Sequence, residues 1–184
     1  ETPKVLHPVC GKSMVQYVVD VARSLRSLKI YVVLGFKNDI VRRSLGPNLQ
    51  VVIQKKLFGT ADAVRCAEPF LKNFKGDILI LSGDTPLLTV ETVQNVVKRH
   101  QARNAACTFL TTDIDRPHGY GRIIRDQNKN VIAIREEKDA SPAEKEISEI
   151  NVGVYCFQAK ILFEFLKSIK FNQKKKEFYL TDVI

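Results

Sequence analysis

The chain has 184 residues, 45% of them hydrophobic, and a formal net charge of +9. This length and composition fit one ordinary domain with a sizeable core. No apolar run approaches the roughly 20 residues that a membrane-spanning helix needs, and no secretory signal pattern opens the chain, so neither a membrane protein nor a secreted one is expected.

The lysines are scattered, and no motif of interleaved basic and aromatic residues accompanies them. The charge therefore indicates a solvated surface rather than a nucleic-acid binder. The four cysteines form no C-x-x-C pair, which argues against zinc and disulfides and favours reduced, mostly buried thiols in a cytoplasmic protein. The three histidines lack the partners that general base catalysis requires and are interpreted as structural: His7, His100 and His118.

The first two thirds of the chain alternate predicted helices and strands. The expected helices are residues 14–28 with Ser13 as N-cap, 37–45 ending before Gly46, 60–71 unless Pro69 ends it sooner, and 89–101 capped by Thr89. The expected strands are residues 29–35, 50–53, 77–81 and 105–113. This alternation predicts an α/β fold with a Rossmann-like, doubly wound, mostly parallel sheet.

After residue 113 the regular alternation of predicted helices and strands ends. Residues 120–125 and 130–135 are predicted to form a small β-hairpin insertion around a turn at 127–129. Residues 141–148 are expected to form a loop or a short helix. A strand over 150–157 and an amphipathic helix over 160–169 follow, and residues 179–184 resemble the opening of another helix.

The segment LILSGDTPLL is the most informative stretch, because a buried strand ends there in a turn that carries Asp84. In open α/β sheets, ligands bind at the carboxyl ends of the strands. An aspartate at this place can hold a divalent metal against phosphate oxygens. The alternative interpretation is a turn aspartate that caps the next helix.

Two further turns fit the binding of a nucleotide. Lys4 precedes the first complete helix as a compact charge suited to a phosphate in a transition state, although a plain surface lysine is the alternative. Gln54 offers both a donor and an acceptor to a base edge. Gly59 permits close backbone approach, and Thr60 begins a helix whose amides favour an anion. The alternative for this second turn is a well-capped connection between a strand and a helix.

The hairpin and the strand after it carry a third group of polar residues. Gly119 and Gly121 surround Tyr120, and such glycines allow a ligand to lie against the backbone or mark a β-bulge. Glu136 belongs to a charge cluster that by default is a solvated edge. Asn151 begins the next strand with an amide able to orient sugar hydroxyls.

Seven segments in order make the pattern specific: PKVLHPVCGKSM, QKKLFGTADAV, LSGDTPLL, HGYGRIIRD, IREEKDA, EINVGVYCF and EFYLTDVI. Together they resemble the N-terminal uridylyltransferase domain of the bifunctional enzymes that make UDP-N-acetylglucosamine, over Pro3 to Ile184. The middle segments are shared loosely by other sugar-nucleotide pyrophosphorylases, whereas GYGRI, EEKDA, EIN and YLTD are closer to this one family. The resemblance implies a sheet of the nucleotide-diphospho-sugar transferase type.

The resemblance also implies a reaction and its residues. The reaction is the Mg²⁺-dependent formation of UDP-N-acetylglucosamine and pyrophosphate from UTP and N-acetylglucosamine 1-phosphate, for cell-envelope and peptidoglycan precursors. The implied roles cover eight residues: Lys4 and Asp84 in catalysis, with Asp84 on Mg²⁺ and Lys4 on the nucleotide phosphates; Gln54 and Gly59 on uracil, with Thr60 alongside; and Gly121 by its backbone, Glu136 and Asn151 on the acetylated sugar.

The chain departs from the family's pattern at two places. It has Ser82 where relatives often have tyrosine, and Ala61-Asp62 where they often have Gly-His. The family's glycine-rich LAAGxGTRM loop lies before this sequence, and a second metal ligand, an asparagine, lies after it. The family's C-terminal left-handed β-helix, which carries acetyltransferase activity and drives trimer formation, is also outside. Residues 1–184 are therefore expected to be a partial nucleotidyltransferase domain of a homotrimeric parent.

Two other functions stay open from the sequence. One is a nucleotidyltransferase that acts on a different sugar 1-phosphate. The other is a non-catalytic domain that binds a sugar nucleotide, which is a fair interpretation of a chain without the family's glycine-rich loop.

Overall fold

The computed structural model describes residues 2–25, 29–47, 49–173 and 176–184. Residues 26–28 of the first predicted helix and residues 174–175 of a lysine-rich connection lie outside this description. The described α-helices are α1 Met14–Ser24, α2 Asn38–Ser44, α3 Thr60–Leu71, α4 Val90–Arg103, α5 Pro142–Lys145 and α6 Ala159–Ser168. None of them is both long and apolar enough to cross a bilayer.

The described strands fall into three sheets. The strands are β1 Pro8–Val9, β2 Lys12–Ser13, β3 Tyr31–Leu34, β4 Gln50–Ile53, β5 Asp77–Leu81, β6 Cys107–Asp113, β7 Arg122–Arg125, β8 Val131–Arg135 and β9 Glu149–Gln158. Strands β1 and β2 form a small hairpin, β3 and β4 form a parallel pair, and the other five form the main sheet.

Strand β9 organises the main sheet. Strands β5 and β6 both pair antiparallel with it, on opposite sides, so they run in the same direction as each other. The hairpin of β7 and β8 joins at the start of β9, where Arg122 pairs with Ile150. The predicted α/β class is confirmed. The sequence did not reveal that β9 runs against its neighbours, because a buried apolar run is compatible with either direction.

The helices pack on the sheets through three clusters of apolar side chains. Helix α6 places Leu162 and Leu166 against Tyr155 and Phe157 of β9. Helix α1 packs on β3 and α2 through residues such as Val15 and Leu34, and α4 buries Val96 against the other face of β9. Between β3 and β5 lies an apolar cleft of about 1240 Å³, lined from both strands. It separates the parallel pair from the main sheet.

Most predicted boundaries hold within a few residues. Thr89 caps α4 as expected, with its Oγ1 accepting from Thr92 N at 3.2 Å. Helix α3 continues through Pro69 to Leu71. Helix α1 ends at Ser24, earlier than predicted, and the expected helix at the end of the chain is a 3₁₀ turn over Leu180–Val183.

Two local features differ from the sequence-based expectations. The β1–β2 hairpin was not predicted; its turn residues Cys10 and Gly11 both have positive φ, as a type I′ turn requires. The cysteines are unpaired, as predicted, but they are less buried than expected, since Cys10 is exposed and only Cys156 is fully buried.

Candidate functional site

The turn after β5 brings Asp84 to Lys4, which lies 80 residues earlier in the chain. Lys4 Nζ donates to Asp84 Oδ2 at 2.6 Å. The hydrogen bond and the charge of Asp84 raise the pKa of Lys4 above its ordinary value, so the lysine stays cationic. The 3₁₀ turn Lys4–Leu6 and the end of β5 therefore place a cation beside a carboxylate at the carboxyl end of a strand.

The connection between β4 and α3 holds Gln54 rigidly. Its backbone N–H donates to Leu34 O at 2.8 Å, which extends the ladder of the β3–β4 pair. Its side-chain Nε2 donates to Gly59 O at 3.0 Å and to Asp62 Oδ2 at 2.8 Å. The predicted base-reading residues Gln54 and Gly59 are thus in direct contact, and a residue outside the predicted set joins them.

Thr60 begins α3 as predicted, but the last residues of the chain engage this helix end. Thr60 Oγ1 accepts from Leu180 N at 2.9 Å, and Ala61 N donates to Phe178 O at 3.0 Å. Gly59 is needed at this crossing. Its φ is +93°, and a Cβ there would lie 2.5 Å from Phe178 O. The amide of Ala61 is therefore already paired with a carbonyl.

The residues predicted to hold a sugar come together at the base of the hairpin. Asn151 N donates to Gly121 O at 2.8 Å. A Cβ built at Gly121 would lie 3.6 Å from both carboxylate oxygens of Glu136, so these two residues face each other. The Asn151 side chain is oriented by Tyr155, whose hydroxyl lies 2.5 Å from Nδ2, and by Gly153, whose N–H donates to Oδ1 at 3.1 Å.

Glu136 has an unusual environment for a carboxylate. Burial raises its pKa above the ordinary value, although a hydrogen bond from Thr181 opposes this effect. Thr181 Oγ1 donates to Glu136 Oε1 at 2.8 Å, and Thr181 is itself buried. The YLTD segment thus completes the wall of this group, 45 residues after the hairpin that supplies the glutamate.

One cleft connects these groups. The large cleft between β3 and β5 is lined by Lys4, Thr60, Glu136 and Asn151 of the predicted set. The other predicted residues reach it through neighbours: Asp84 bonds Lys4, Gly121 bonds Asn151, and Gln54 and Gly59 adjoin Thr60 through their mutual bond. The lining of the cleft therefore includes both a cationic side chain and hydrogen-bonding side chains.

Three residues that orient the predicted site residues were not identified from the sequence. They are Asp62, which holds Gln54, Thr181, which holds Glu136, and Tyr155, which holds Asn151. The available signals were the Ala61-Asp62 departure from the family's pattern and the YLTD segment. Each of these signals marked a segment of the sequence, but neither showed which residue its side chains would contact.

Asp84 could hold Mg²⁺ only together with atoms of a bound substrate. Among the described residues, no three His, Cys, Asp or Glu side chains are grouped to hold a metal ion. Mg²⁺ is usually bound by one or two carboxylates together with substrate phosphates. Asp84, which already attracts a cation, matches such a site with phosphate oxygens as the other ligands.

The chain belongs to the Nucleotidyl transferase family, whose model matches residues 1–184. Two curated relatives refine this class. Both are called bifunctional protein GlmU. The one from Geobacillus sp. (strain WCH70) is 49% identical over 98% of this chain, and the one from Bacillus subtilis (strain 168) is 45% identical over 98%.

The sequence resemblance described above is thereby confirmed. This chain covers 39% and 40% of the length of those two relatives, so it spans about two fifths of such a protein.

Solved structures agree on the fold. A UDP-glucose pyrophosphorylase complexed with UDP-glucose has a TM-score of 0.73 to this chain at 17% identity, covering 98% of this chain and 76% of the other. The unliganded form of a UDP-glucose pyrophosphorylase also has a TM-score of 0.73, at 15% identity, with 98% and 77% covered.

Proposed function

We propose that this chain is the uridylyltransferase part of an enzyme that makes UDP-N-acetylglucosamine and pyrophosphate from UTP and N-acetylglucosamine 1-phosphate with Mg²⁺. The product would then serve as a precursor of cell-envelope polysaccharide. The observation that supports this best is that Lys4, Glu136 and Asn151 line the same cleft. A nucleotidyl transfer between a sugar phosphate and a nucleoside triphosphate needs these two chemistries side by side.

The reaction itself requires positioning more than covalent chemistry. An oxygen of the sugar 1-phosphate attacks the α-phosphorus of UTP, a new P–O bond forms, and the bond to the β-phosphate oxygen breaks to release pyrophosphate. No protein nucleophile is needed, so catalysis rests on alignment and on stabilisation of charge. Mg²⁺ held by Asp84 would supply neutralisation of the phosphate charge.

Lys4 has to exchange one partner for another during this cycle. In this structure it pairs with Asp84, and both side chains are accessible, 76% and 35% exposed. Exposed pairs of this kind contribute about 0–1 kcal/mol. The lysine therefore turns to a phosphate at little cost while Asp84 becomes available as a metal ligand.

The sugar end selects by hydrogen bonding. Glu136 accepts and Asn151 both donates and accepts, which suits sugar hydroxyls and an acetamido group. Thr181 and Tyr155 hold these two side chains in place. A site built from fixed hydrogen-bonding groups discriminates strongly against a sugar that lacks the matching group, since the protein groups would then stay unpaired.

The test is pyrophosphate release from UTP and N-acetylglucosamine 1-phosphate with Mg²⁺. It is run on this chain and on a longer chain with the family's glycine-rich loop and following residues. We expect turnover from the longer chain, and a preference for N-acetylglucosamine 1-phosphate over glucose 1-phosphate. Faster reaction with glucose 1-phosphate would assign a different sugar. Binding of UDP-N-acetylglucosamine without turnover in either chain would make this a binding domain.

Matched variants separate the catalytic role from the fold. Asp84→Ala and Lys4→Ala should both slow the longer chain markedly, whereas Asp39→Ala, at an exposed position in the first turn of α2, should not. Near-normal turnover in Asp84→Ala would overturn the metal assignment. The trimeric state and the cytoplasmic location of the parent protein stay predictions.

A further inference from the structure

The side-chain amide of Gln54 has one defined orientation. Its Nε2 lies 3.0 Å from Gly59 O and 2.8 Å from Asp62 Oδ2. The oxygen and nitrogen of an amide are assigned from their partners, and here both partners are acceptors, a backbone carbonyl and a carboxylate. A flipped amide would place oxygen against oxygen twice. The NH₂ group must therefore face Gly59 and Asp62.

This orientation leaves Gln54 Oε1 on the opposite side. The oxygen lies 3.6 Å from the position that a Cβ would occupy at Gly35, a residue that lines the large cleft. Within the described part of the chain, no donor is hydrogen-bonded to this oxygen, whereas the nitrogen has two acceptors. Gln54 as a whole residue is 9% exposed.

The elements around the amide are fixed. Gln54 continues the β3–β4 ladder through its backbone bond to Leu34 O. Asp62 lies in the first turn of α3, and its Oδ2 accepts from Gln54 Nε2 at 2.8 Å. Gly59 is held by the crossing with Phe178. These contacts favour one orientation of the amide.

We propose that Asp62 is a positioning residue that fixes Gln54 with Oε1 towards the nucleotide, so that this side chain offers the base an acceptor and no donor. The proposal rests on the proposed function, because it concerns the same nucleotide site. Uracil presents an N3–H donor on its pairing edge, whereas cytosine has an unprotonated nitrogen at that ring position. The fixed oxygen would bond the first and oppose the second, so Asp62 contributes to the choice of uridine.

The carboxylate of Asp62 is needed to keep the Gln54 amide in one orientation. A glutamine that is free to flip reads either a donor or an acceptor, and so it discriminates weakly between bases. A neutral residue at position 62 leaves only the Gly59 carbonyl to orient the amide. Loss of a hydrogen bond to a charged group is therefore expected to weaken this orientation about tenfold or more.

The first experiment needs no nucleotide. Side-chain amide exchange of Gln54 is measured by ¹H–¹⁵N NMR in the unaltered chain, in Asp62→Ala and in the near-isosteric Asp62→Asn. The control is Asp39→Asn, which removes a carboxylate from the first turn of α2. We expect exchange about tenfold faster in Asp62→Ala, faster exchange or two amide environments in Asp62→Asn, and no change in the control. Unchanged exchange in both Asp62 variants would overturn the proposal.

The second experiment tests base choice. Affinities for UTP and CTP are compared in the longer chain described above and in its Asp62 variants. We expect UTP affinity to fall about tenfold in Asp62→Ala while CTP affinity changes little, so that the preference for UTP collapses. An unchanged UTP/CTP ratio would refute the selection role. If no variant binds UTP but the amide exchange still depends on Asp62, the proposed function fails and the positioning of Gln54 stands.

Discussion

Replacing Thr181 by valine removes a hydroxyl from a buried site without changing the shape of the side chain. Thr181 is 5% exposed, and its Oγ1 donates to Glu136 Oε1 at 2.8 Å. Valine has nearly the same volume, so no cavity term is expected. The cost is the lost hydrogen bond to a carboxylate, about 1.5–3 kcal/mol at neutral pH. When Glu136 is protonated, the lost bond joins two neutral groups and costs only about 0.5–1.5 kcal/mol.

The pH dependence follows from the pKa of Glu136. Burial raises this pKa in the folded protein, and the bond from Thr181 lowers it in part. Between the unfolded value of about 4.3 and the raised folded value, the native state binds more protons than the unfolded state. The free energy of unfolding therefore falls as the pH rises through this window. The valine substitution raises the pKa of Glu136 in the folded protein further. The loss of unfolding free energy that it causes must therefore grow with pH.

The assay is urea unfolding of Thr181→Val and of the unaltered chain between pH 4 and pH 8. We expect the difference in unfolding free energy to be about 1 kcal/mol larger at the upper end. Thr181→Ser keeps the hydroxyl and serves as the control, with no such growth. The role of the Thr181–Glu136 hydrogen bond would be refuted if Thr181→Val lowered the unfolding free energy equally at all pH values. It would also be refuted if Thr181→Ser showed the same pH dependence as Thr181→Val.

Three further predictions rest on other contacts. Asp84→Ala should reduce turnover of the longer chain roughly a thousandfold or more, because it removes the proposed metal ligand, with circular dichroism to check that the fold persists. Arg122→Met should lower the free energy of unfolding more than Arg125→Met on the same strand, with both measured by urea unfolding. Arg122 is 2% exposed, contacts Glu137 at 2.8 Å and donates to Lys145 O, whereas the Arg125 side chain is 38% exposed in its pair with Glu149. Gly59→Ala should destabilise the chain by about 1–3 kcal/mol more than Gly119→Ala: both have positive φ, but only the first meets a backbone atom, at 2.5 Å. Equal losses within either pair would contradict the corresponding contact.

Much of the local structure could be predicted from the sequence because its causes are local. Thr89 caps α4 through the amide three residues later. The hairpin turn is held by Asp126, whose Oδ1 accepts from Asn128 N and Asn130 N. Such signals act over a few residues and are visible as residue types at fixed spacings. The resemblance to the family was likewise a matter of ordered segments.

The candidate site could be predicted only as a set of residues, not as an arrangement. The roles of its members stay predictions, but the structure adds contacts that no spacing encodes. Leu180 bonds Thr60 across 120 residues, and Thr181 bonds Glu136 across 45. Even Gln54 and Asp62, eight residues apart, meet only because a loop reverses between β4 and α3.

The sequence by itself determined the α/β class, most helix and strand positions and the candidate residues, because periodicity, capping and turn chemistry are local properties of the chain. Only the tertiary structure decided that β9 runs antiparallel between β5 and β6, that Lys4 pairs with Asp84, and that the chain's end holds Glu136. These contacts join distant residues. They depend on how loops close and how apolar faces pack together, which local patterns do not specify.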